Sequence, residues 1–213
     1  MIGTKLRGGS VADAIRAHRL IAVLRRVEPR NRLLGLVDGL AEAGVRVFEV
    51  TLDASSGVED LAAVRSHLSG VPDAVVGAGT ILRLEQLDAA LRAGADFGVS
   101  PLFDRELTSA ALDAGLPFVP GGMTPAEVAA AWDAGSTFVK LFPASAVGPA
   151  FVRELRGPLP EVALIPTGGI DAVNAASFLS AGAAAVGIGS ALSRADASTR
   201  RSLVRSVMME ATT

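Results

Sequence analysis

Lys140 is the clearest candidate for a chemical role in this sequence, because the chain contains only two lysines. Its 20 cationic side chains comprise 18 arginines and the lysines Lys5 and Lys140. Lys140 lies within the apolar segment Phe138-Val139-Lys140-Leu141-Phe142. Unlike an arginine, a buried lysine can lose its proton, attack a carbonyl carbon and form a Schiff base. The alternative is a buried lysine that pairs with a carboxylate for structure alone.

Glu49 is a second isolated charge in an apolar segment, Val47-Phe48-Glu49-Val50-Thr51. Side chains alternate between the faces of a strand, so Glu49 and Thr51 share one face. A carboxylate beside a Schiff-base lysine can move protons as the carbinolamine forms and at the carbon that becomes nucleophilic. A purely structural Glu49–Lys140 ion pair is the alternative, but desolvation makes buried pairs weak stabilisers. The two charges together therefore favour catalysis.

Glycines suited to anion binding follow two further apolar segments. They occur in Thr167-Gly168-Gly169-Ile170 and in Gly187-Ile188-Gly189-Ser190. Glycine lets backbone N–H groups approach a phosphate, and a helix N-terminus nearby would assist. The first predicted strand is not followed by Gly-x-Gly-x-x-Gly, which argues against a dinucleotide-binding fold. The predicted phosphate-binding residues are Gly168, Gly169, Gly189 and Ser190.

Five Ala-Gly pairs indicate the elements that must position these residues. They are Ala43-Gly44, Ala93-Gly94, Ala114-Gly115, Ala134-Gly135 and Ala181-Gly182. Each pair follows a segment with helical spacing and precedes an apolar segment, as expected where glycine ends a helix before a strand. Apolar strands that alternate with helices predict a parallel sheet covered on both faces. The eight predicted strands are 20–25, 47–52, 74–79, 97–101, 117–121, 138–142, 163–167 and 184–189.

Eight such units predict a single-domain α/β fold, the (β/α)8 TIM barrel, whereas an open flavodoxin-like sheet needs only about five strands. The predicted domain covers residues 1–213, with an N-terminal helix within 1–18 and a C-terminal helix within 196–213. Active sites of such barrels lie at the carboxyl ends of the strands. Polar residues gather at these predicted ends, among them Arg25, Glu49, Thr51, Thr80, Lys140, Thr167 and Ser190.

Composition excludes several other functions. The chain has no cysteine, which excludes thiolate catalysis, cysteine-ligated zinc and disulfides. A net charge of −2 gives no reason to expect nucleic acid or an anionic membrane as partner. No apolar segment approaches the ~18–20 residues of a membrane span, and no signal peptide is recognised. His18 and His67 lack a second ligand pattern, so we expect no metal site and a cytoplasmic location.

Several motifs occur in a consistent order between about residue 15 and residue 195. They are Gly44-Val45-Arg46-Val47-Phe48-Glu49-Val50-Thr51-Leu52, Gly77-Ala78-Gly79-Thr80, Ser100-Pro101, Pro120-Gly121 with Thr124-Pro125-Ala126-Glu127, Val139-Lys140-Leu141-Phe142-Pro143-Ala144, and Pro166-Thr167-Gly168-Gly169-Ile170 with Asn174. Together they resemble the 2-keto-3-deoxy-6-phosphogluconate (KDPG) and 4-hydroxy-2-oxoglutarate (KHG) aldolase family of class I lyases.

The resemblance implies a class I aldolase that cleaves a 2-keto-3-deoxy sugar acid, expected to be the 6-phosphate, to pyruvate and an aldehyde such as glyceraldehyde 3-phosphate. Lys140 would form the Schiff base, and Glu49 would be the general acid/base. The protonated imine is the electron sink, so the resemblance implies no cofactor. It also implies a homotrimer and a place in carbohydrate metabolism, in the Entner–Doudoroff route.

The same resemblance implies which residues bind substrate. Arg25 and Thr80 would hold the carboxylate of the pyruvyl part, while Pro101 and Phe142 would shape the pocket. The full set of implied substrate-binding residues is Arg25, Thr51, Thr80, Pro101, Phe142 and Thr167.

Two positions depart from the family pattern. Asp53 stands where many members have an arginine, and a carboxylate there is expected to repel the carboxylate of the substrate unless Arg25 takes over. Leu102 stands where glycine often follows Ser100-Pro101, and its larger side chain is expected to narrow the pocket. The Val147-Gly148-Pro149 segment resembles broader members, including those that act on the galactonate epimer.

Two other functions remain open from the sequence alone. One is an epimerase or isomerase on a phosphate-binding TIM barrel, although the paired carboxylates or the His/Asp metal set usual for such enzymes are not recognised here. The other is a non-catalytic barrel that binds a sugar acid, an alternative that Asp53 and Leu102 keep open.

Overall fold

The computed structural model describes residues 8–209 of the chain. Within that range nine short strands alternate with helices, as the apolar segments separated by Ala-Gly pairs predict. The strands are β1 (Leu20–Leu24), β2 (Val47–Thr51), β3 (Val75–Gly79), β4 (Gly98–Val99), β5 (Phe118–Val119), β6 (Gly121–Gly122), β7 (Val139–Leu141), β8 (Leu164–Pro166) and β9 (Val186–Ile188).

The helices end where the glycines predict. In each of the five Ala-Gly pairs the alanine is the C-cap of a helix, and the glycine has a positive φ between 73° and 102°. Glycine adopts that left-handed conformation without a Cβ penalty. The helices are α1 (Gly8–His18), α2 (Arg30–Glu42), α3 (Gly57–His67), α4 (Leu84–Arg92), α5 (Arg105–Asp113), α6 (Pro125–Asp133), α7 (Gly148–Leu155), α8 (Ala175–Ser180), α9 (Ser190–Ser193) and α10 (Ala197–Met209).

The strands form a curled parallel sheet in two ladders. One ladder has the order β5-β4-β3-β2-β1-β9, and the other has the order β6-β7-β8. Neighbouring strands follow the chain order apart from the β1–β9 pair, so the chain does not have the reversed order of a doubly wound sheet. The ladders are not continuous: Pro120 separates β5 from β6, and a single bridge between Thr167 and Gly187 links the β8 and β9 regions.

Helix α1 packs against the sheet at the amino ends of the strands. Val11 and Ile15 join a buried apolar cluster that contains Val47, Phe97 and Phe138. A larger cluster fills the space between the sheet and the outer helices. Apolar packing therefore occupies the amino ends of the strands, which leaves the carboxyl ends for polar groups.

The predicted elements agree with the observed ones to within a few residues. The fifth predicted strand, 117–121, is divided at Pro120, because proline cannot donate a ladder hydrogen bond. The N-terminal and C-terminal helices are present as α1 and α10, while residues 1–7 and 210–213 lie outside the described range. None of the helices within residues 8–209 is long and apolar enough to cross a membrane.

Candidate active site

A cavity of about 570 Å³ opens at the carboxyl ends of the strands. All twelve residues that the sequence predicts for the site line it, although they come from strands in both ladders and from the loops that follow them. They are Arg25, Glu49, Thr51, Thr80, Pro101, Lys140, Phe142, Thr167, Gly168, Gly169, Gly189 and Ser190.

Lys140 and Glu49 form a buried pair on the wall of this cavity. The Lys140 Nζ lies 3.4 Å from the Glu49 Oε1, and the side chains are 6% and 3% exposed. The backbone N–H of Lys140 donates to the Pro120 carbonyl at 2.9 Å, which anchors β7 beside β6. The Nζ also lies 5.4 Å from the centroid of the Phe142 ring, within the range of a cation–π contact. A long hydrogen bond and an adjoining cavity leave the amine accessible to a small carbonyl compound.

Gly79 makes room for the Glu49 carboxylate. In the register between β2 and β3, Gly79 pairs with Thr51, two residues beyond Glu49. A Cβ placed on Gly79 would overlap the carboxyl group of Glu49. The glycine is therefore needed for Glu49 to point along the inner face of β3 towards Lys140.

Thr80 has an unusual backbone conformation directly after β3. Its φ is 58°, in the left-handed region that a β-branched residue rarely adopts. Backbone strain of this kind persists where the surrounding structure enforces it, and it concentrates at functional sites. Thr80 lines the cavity, so the strain coincides with a predicted carboxylate-binding residue.

Arg25 at the cavity mouth is bound to Asp53. Arg25 donates from Nε to the Asp53 Oδ2 at 2.9 Å, and Arg26 Nε lies 3.1 Å from the same oxygen. Burial disfavours the charged form of Asp53, but hydrogen bonds from Thr51 and Arg25, together with the charges of Arg25 and Arg26, hold its pKa below the ordinary value. Asp53 is paired with two guanidinium groups and does not line the cavity, so positive charge lies between it and the cavity. Whether Asp53 repels a substrate carboxylate stays a prediction.

The glycines after β8 offer free backbone donors. Gly168 and Gly169 have φ values of 91° and 73°, and within residues 8–209 their N–H groups donate to no protein acceptor. The Asn174 Nδ2 donates to the Gly169 carbonyl at 2.8 Å and steadies the turn. A helix N-terminus lies at the second predicted segment, where Gly189 is the N-cap of the four-residue helix α9 and Ser190 is its first residue. Near the first segment, α8 begins only at Ala175. An anion here would be bound by peptide N–H groups and nearby cations.

Leu102 does not narrow the cavity. Its side chain is 48% exposed and does not line the cavity, so the expectation from the sequence is wrong. Its backbone carbonyl instead accepts a hydrogen bond from the Gly121 N–H at 3.2 Å. After Pro101 the backbone turns so that the Leu102 side chain points away from the cavity.

The sequence reasoning missed three arginines that line the cavity. Arg26 follows Arg25 at the end of β1, Arg32 lies in the first turn of α2, and Arg194 follows α9. The sequence signal for Arg26 was its place directly after the predicted strand 20–25. Arg32 and Arg194 lay in helix-like segments without a distinguishing pattern. Together these arginines make the mouth of the cavity strongly cationic.

Known proteins are similar to this chain in sequence and fold. The sequence profile of the KDPG and KHG aldolase family matches residues 11–206. The 2-dehydro-3-deoxy-6-phosphogalactonate aldolase of Escherichia coli (strain K12) is 34% identical over 183 residues, which are 85% of this chain and 88% of that protein. The KHG/KDPG aldolase of the same strain is 36% identical over 160 residues, 75% of this chain and 72% of the relative.

One solved structure is similar to this chain over almost its whole length. It is the KDPG aldolase of Legionella pneumophila with pyruvate captured at low pH as a covalent carbinolamine intermediate. The two chains superpose with a TM-score of 0.79 at 28% sequence identity, over 97% of this chain and 98% of the other.

Proposed function

The chain belongs to the KDPG and KHG aldolase family and is a lyase, and on this premise we propose that it is a class I aldolase acting through a Schiff base on Lys140. The proposed reaction cleaves a 2-keto-3-deoxy sugar acid 6-phosphate to pyruvate and glyceraldehyde 3-phosphate. The relatives are named as aldolases, which removes the isomerase and non-catalytic alternatives. The observation that carries the mechanism is the buried Lys140–Glu49 pair on the cavity wall.

Imine formation is the first proposed step. The Lys140 Nζ attacks the C2 carbonyl carbon of the substrate and forms a carbinolamine. Glu49, 3.4 Å from the Nζ, moves the protons that allow the carbinolamine hydroxyl to leave as water. The resulting protonated imine draws electrons from the neighbouring carbon–carbon bond, so the covalent adduct itself supplies the electron sink.

Cleavage of the C3–C4 bond follows. The Glu49 carboxylate, regenerated when water leaves, accepts the proton of the C4 hydroxyl, C4 becomes the aldehyde carbon, and the electron pair of the broken bond moves into the imine to form an enamine. Glu49 then delivers a proton to C3 of the enamine. Water hydrolyses the imine, which releases pyruvate and regenerates the Lys140 amine. Protons and electrons balance without a further reactant.

The cavity walls would orient the substrate for these steps. Arg25 and the strained Thr80 would hold the carboxylate next to C2, which places the carbonyl carbon within reach of Lys140. Thr51 and Thr167 would contact the hydroxyl groups of the substrate, while Phe142 would limit the pocket beside the amine.

The phosphate would lie at the opposite side of the mouth. The free N–H groups of Gly168 and Gly169 support this placement, as do Gly189 and Ser190 on the adjoining strand end. Arg194 lines the same part of the cavity and adds positive charge. Charge-assisted hydrogen bonds from backbone amides and a guanidinium suit a phosphate dianion.

Reductive trapping tests the mechanism directly. The protein is incubated with pyruvate and borohydride, and the intact mass and peptide map are recorded. We expect a reduced pyruvyl adduct on Lys140, which would leave the aldehyde partner and the sugar epimer to be screened. Folded protein that forms no adduct with excess pyruvate would overturn the Schiff-base mechanism.

The closed eight-stranded barrel is also part of the proposal. β5 and β6 are separated only by Pro120 and would count as one strand, as the sequence predicts. The Thr167–Gly187 bridge and the hydrogen bond from the Ala184 N–H to the Leu164 carbonyl, at 2.9 Å, support contact between β8 and β9. These contacts would join the two ladders into one barrel.

A cytoplasmic homotrimer is the proposed form of the enzyme. Exposed apolar side chains follow the strands β3, β4 and β6 along the chain, and they support a subunit interface at this end of the sheet. They are Leu82, Leu84, Leu102 and Met123, which are 37–48% exposed. Light scattering should give three times the chain mass, and Leu102→Glu should lower it towards that of a monomer. A wild-type monomer at all concentrations would refute the trimer.

A further inference from the structure

We propose that Asp53 is a positioning residue for recognition of the substrate carboxylate. It holds the guanidinium groups of Arg25 and Arg26 together at the cavity mouth. The three side chains then have a net charge of +1, which can bind one substrate carboxylate. The inference rests on the proposed function, in which Arg25 binds the carboxylate of the keto acid.

One carboxylate oxygen is the common partner of both arginines. The Asp53 Oδ2 lies 2.9 Å from the Arg25 Nε and Nη2 and 3.1 Å from the Arg26 Nε. The Arg26 Nη2 also donates to the Asp53 backbone carbonyl at 3.2 Å. The Asp53 side chain is only 12% exposed, whereas those of Arg25 and Arg26 are 57% and 61% exposed. A fixed carboxylate therefore restrains two side chains that would otherwise sample many rotamers.

The backbone at Arg26 makes the shared contact feasible. Consecutive residues of a strand point to opposite faces, so Arg25 and Arg26 would diverge if β1 continued in extended form. Arg26, the second residue after β1, instead has a φ of 50° in the left-handed region. Both guanidinium groups consequently reach the same oxygen of Asp53, which lies just beyond the end of the neighbouring strand β2.

The arrangement leaves donors for a substrate. An arginine has five N–H donors, and Asp53 uses the Nε edge of each guanidinium. The Nη1 groups remain, and both arginines line the cavity while Asp53 does not. Two guanidinium groups and one carboxylate sum to a single positive charge, which matches the charge of a keto-acid carboxylate. Asp53 thus acts on the substrate through the arginines.

A structural role in stability alone does not explain this group. Ion pairs with arginines that are more than half exposed contribute little to folding. The three residues also lie at the substrate entrance and not on a remote surface. Orientation, by contrast, has a large effect, because small displacements of a positioning group can reduce rates by roughly 100-fold.

The test compares pyruvate with methyl pyruvate, which has the same keto group but no negative charge. Borohydride trapping on Lys140 is measured against concentration for the wild type, Asp53→Asn, Arg25→Ala and the double variant. With pyruvate, Asp53→Asn should raise the half-saturating concentration by roughly tenfold or more. The half-saturating concentration of the double variant should be close to that of Arg25→Ala. With methyl pyruvate, Asp53→Asn should raise the half-saturating concentration by a smaller factor than with pyruvate. Asp53→Glu should have a half-saturating pyruvate concentration between those of Asp53→Asn and the wild type.

The outcomes separate this inference from the proposed function. No adduct on wild-type Lys140 would overturn the aldolase mechanism and the inference with it. A wild-type adduct with unchanged pyruvate dependence in Asp53→Asn would overturn the inference alone. Equal losses with both compounds, or additive effects of Asp53→Asn and Arg25→Ala, would show that Asp53 does not act through Arg25. Thermal melts of each variant establish that the protein assayed is folded.

Discussion

The Glu49 Oε1 lies 3.4 Å from the Lys140 Nζ, although the two residues are 91 positions apart and belong to different ladders of the sheet. β2 pairs with β1 and β3, whereas β7 pairs with β6 and β8. The two charges therefore meet across the inside of the curled sheet and not between neighbouring strands. This contact joins a candidate nucleophile to a candidate proton carrier at the wall of the cavity.

Replacing Lys140 should abolish turnover. Lys140→Met removes the amine but keeps an unbranched apolar stem, and Lys140→Arg retains the charge next to Glu49 without a group that can form an imine. We expect neither variant to cleave substrate or to form a borohydride adduct. Because Lys140→Met leaves a buried carboxylate unpaired, its melting temperature should be lower than that of the wild type. Turnover by Lys140→Arg at the wild-type rate would refute the Schiff-base role.

Glu49→Gln should separate imine formation from proton transfer. The amide keeps the shape that Gly79 accommodates, but it cannot carry a proton to and from C3. We expect slower adduct formation and a decrease of roughly 10²–10⁴-fold in the exchange of pyruvate methyl protons with D2O, followed by NMR. Exchange at the wild-type rate would assign the acid/base role to another group.

Thr80→Gly should relieve the backbone strain at this position but weaken binding of the keto acid. The left-handed conformation costs a non-glycine residue about 1–2 kcal/mol, while glycine raises the entropy of the unfolded chain by about 0.5–1 kcal/mol. The melting temperature should therefore be unchanged or slightly higher. The KM for the keto acid should rise, because the threonine hydroxyl is lost.

Asp73→Gly is the matched control for this variant. Asp73 has a similar φ of 61° but is exposed and does not line the cavity, so its replacement should leave KM unchanged. An unchanged KM in Thr80→Gly would remove Thr80 from the set of carboxylate-binding residues.

Ser190→Ala should discriminate between phosphorylated and unphosphorylated substrates. A lost hydrogen bond to a charged group corresponds to about 1.5–3 kcal/mol, or roughly 10–150-fold in KM for the 6-phosphate. The unphosphorylated sugar acid should bind equally to the variant and the wild type. Ser109→Ala, on the exposed face of α5, serves as the control. Equal effects on both substrates would place the phosphate elsewhere.

Acid pH should destabilise the protein in part through Asp53. Its pKa is lower in the folded state than in the unfolded chain, so its stabilising effect is complete above about pH 4 and is lost as the pH falls through the folded value. The effect is at most about 1 kcal/mol, because its arginine partners are largely exposed. Between about pH 5 and pH 2, the melting temperature of Asp53→Asn should fall less than that of the wild type.

Asp88→Asn is the control for this pH dependence. Asp88 is exposed on α4 and forms no ion pair within the described residues, so its removal should leave the pH profile unchanged. If the melting curves of Asp53→Asn and the wild type fall in parallel, Asp53 is not the source of the acid sensitivity.

Local patterns made most of the fold predictable. The Ala-Gly pairs located five helix ends because the left-handed backbone there depends on the glycine itself. The apolar segments located the strands, because a strand that is buried on both faces of a parallel sheet requires apolar residues. The division of the fifth strand at Pro120 was not foreseen. Proline is visible in the sequence, but β5 pairs with β4 whereas β6 pairs with β7, and that change of partner depends on strands elsewhere in the chain.

The sequence by itself determined the order of the elements and the identities of Lys140 and Glu49, because rare residue types in apolar segments remain recognisable without coordinates. Only the tertiary structure decided which partners Asp53 has and which way the Leu102 side chain points. The left-handed turn at Arg26 brings two arginines to one carboxylate. The distance between these arginines and Asp53 cannot be predicted from any local sequence pattern. Residue type limits which chemistry is available, whereas the chain path sets which groups lie within hydrogen-bonding distance.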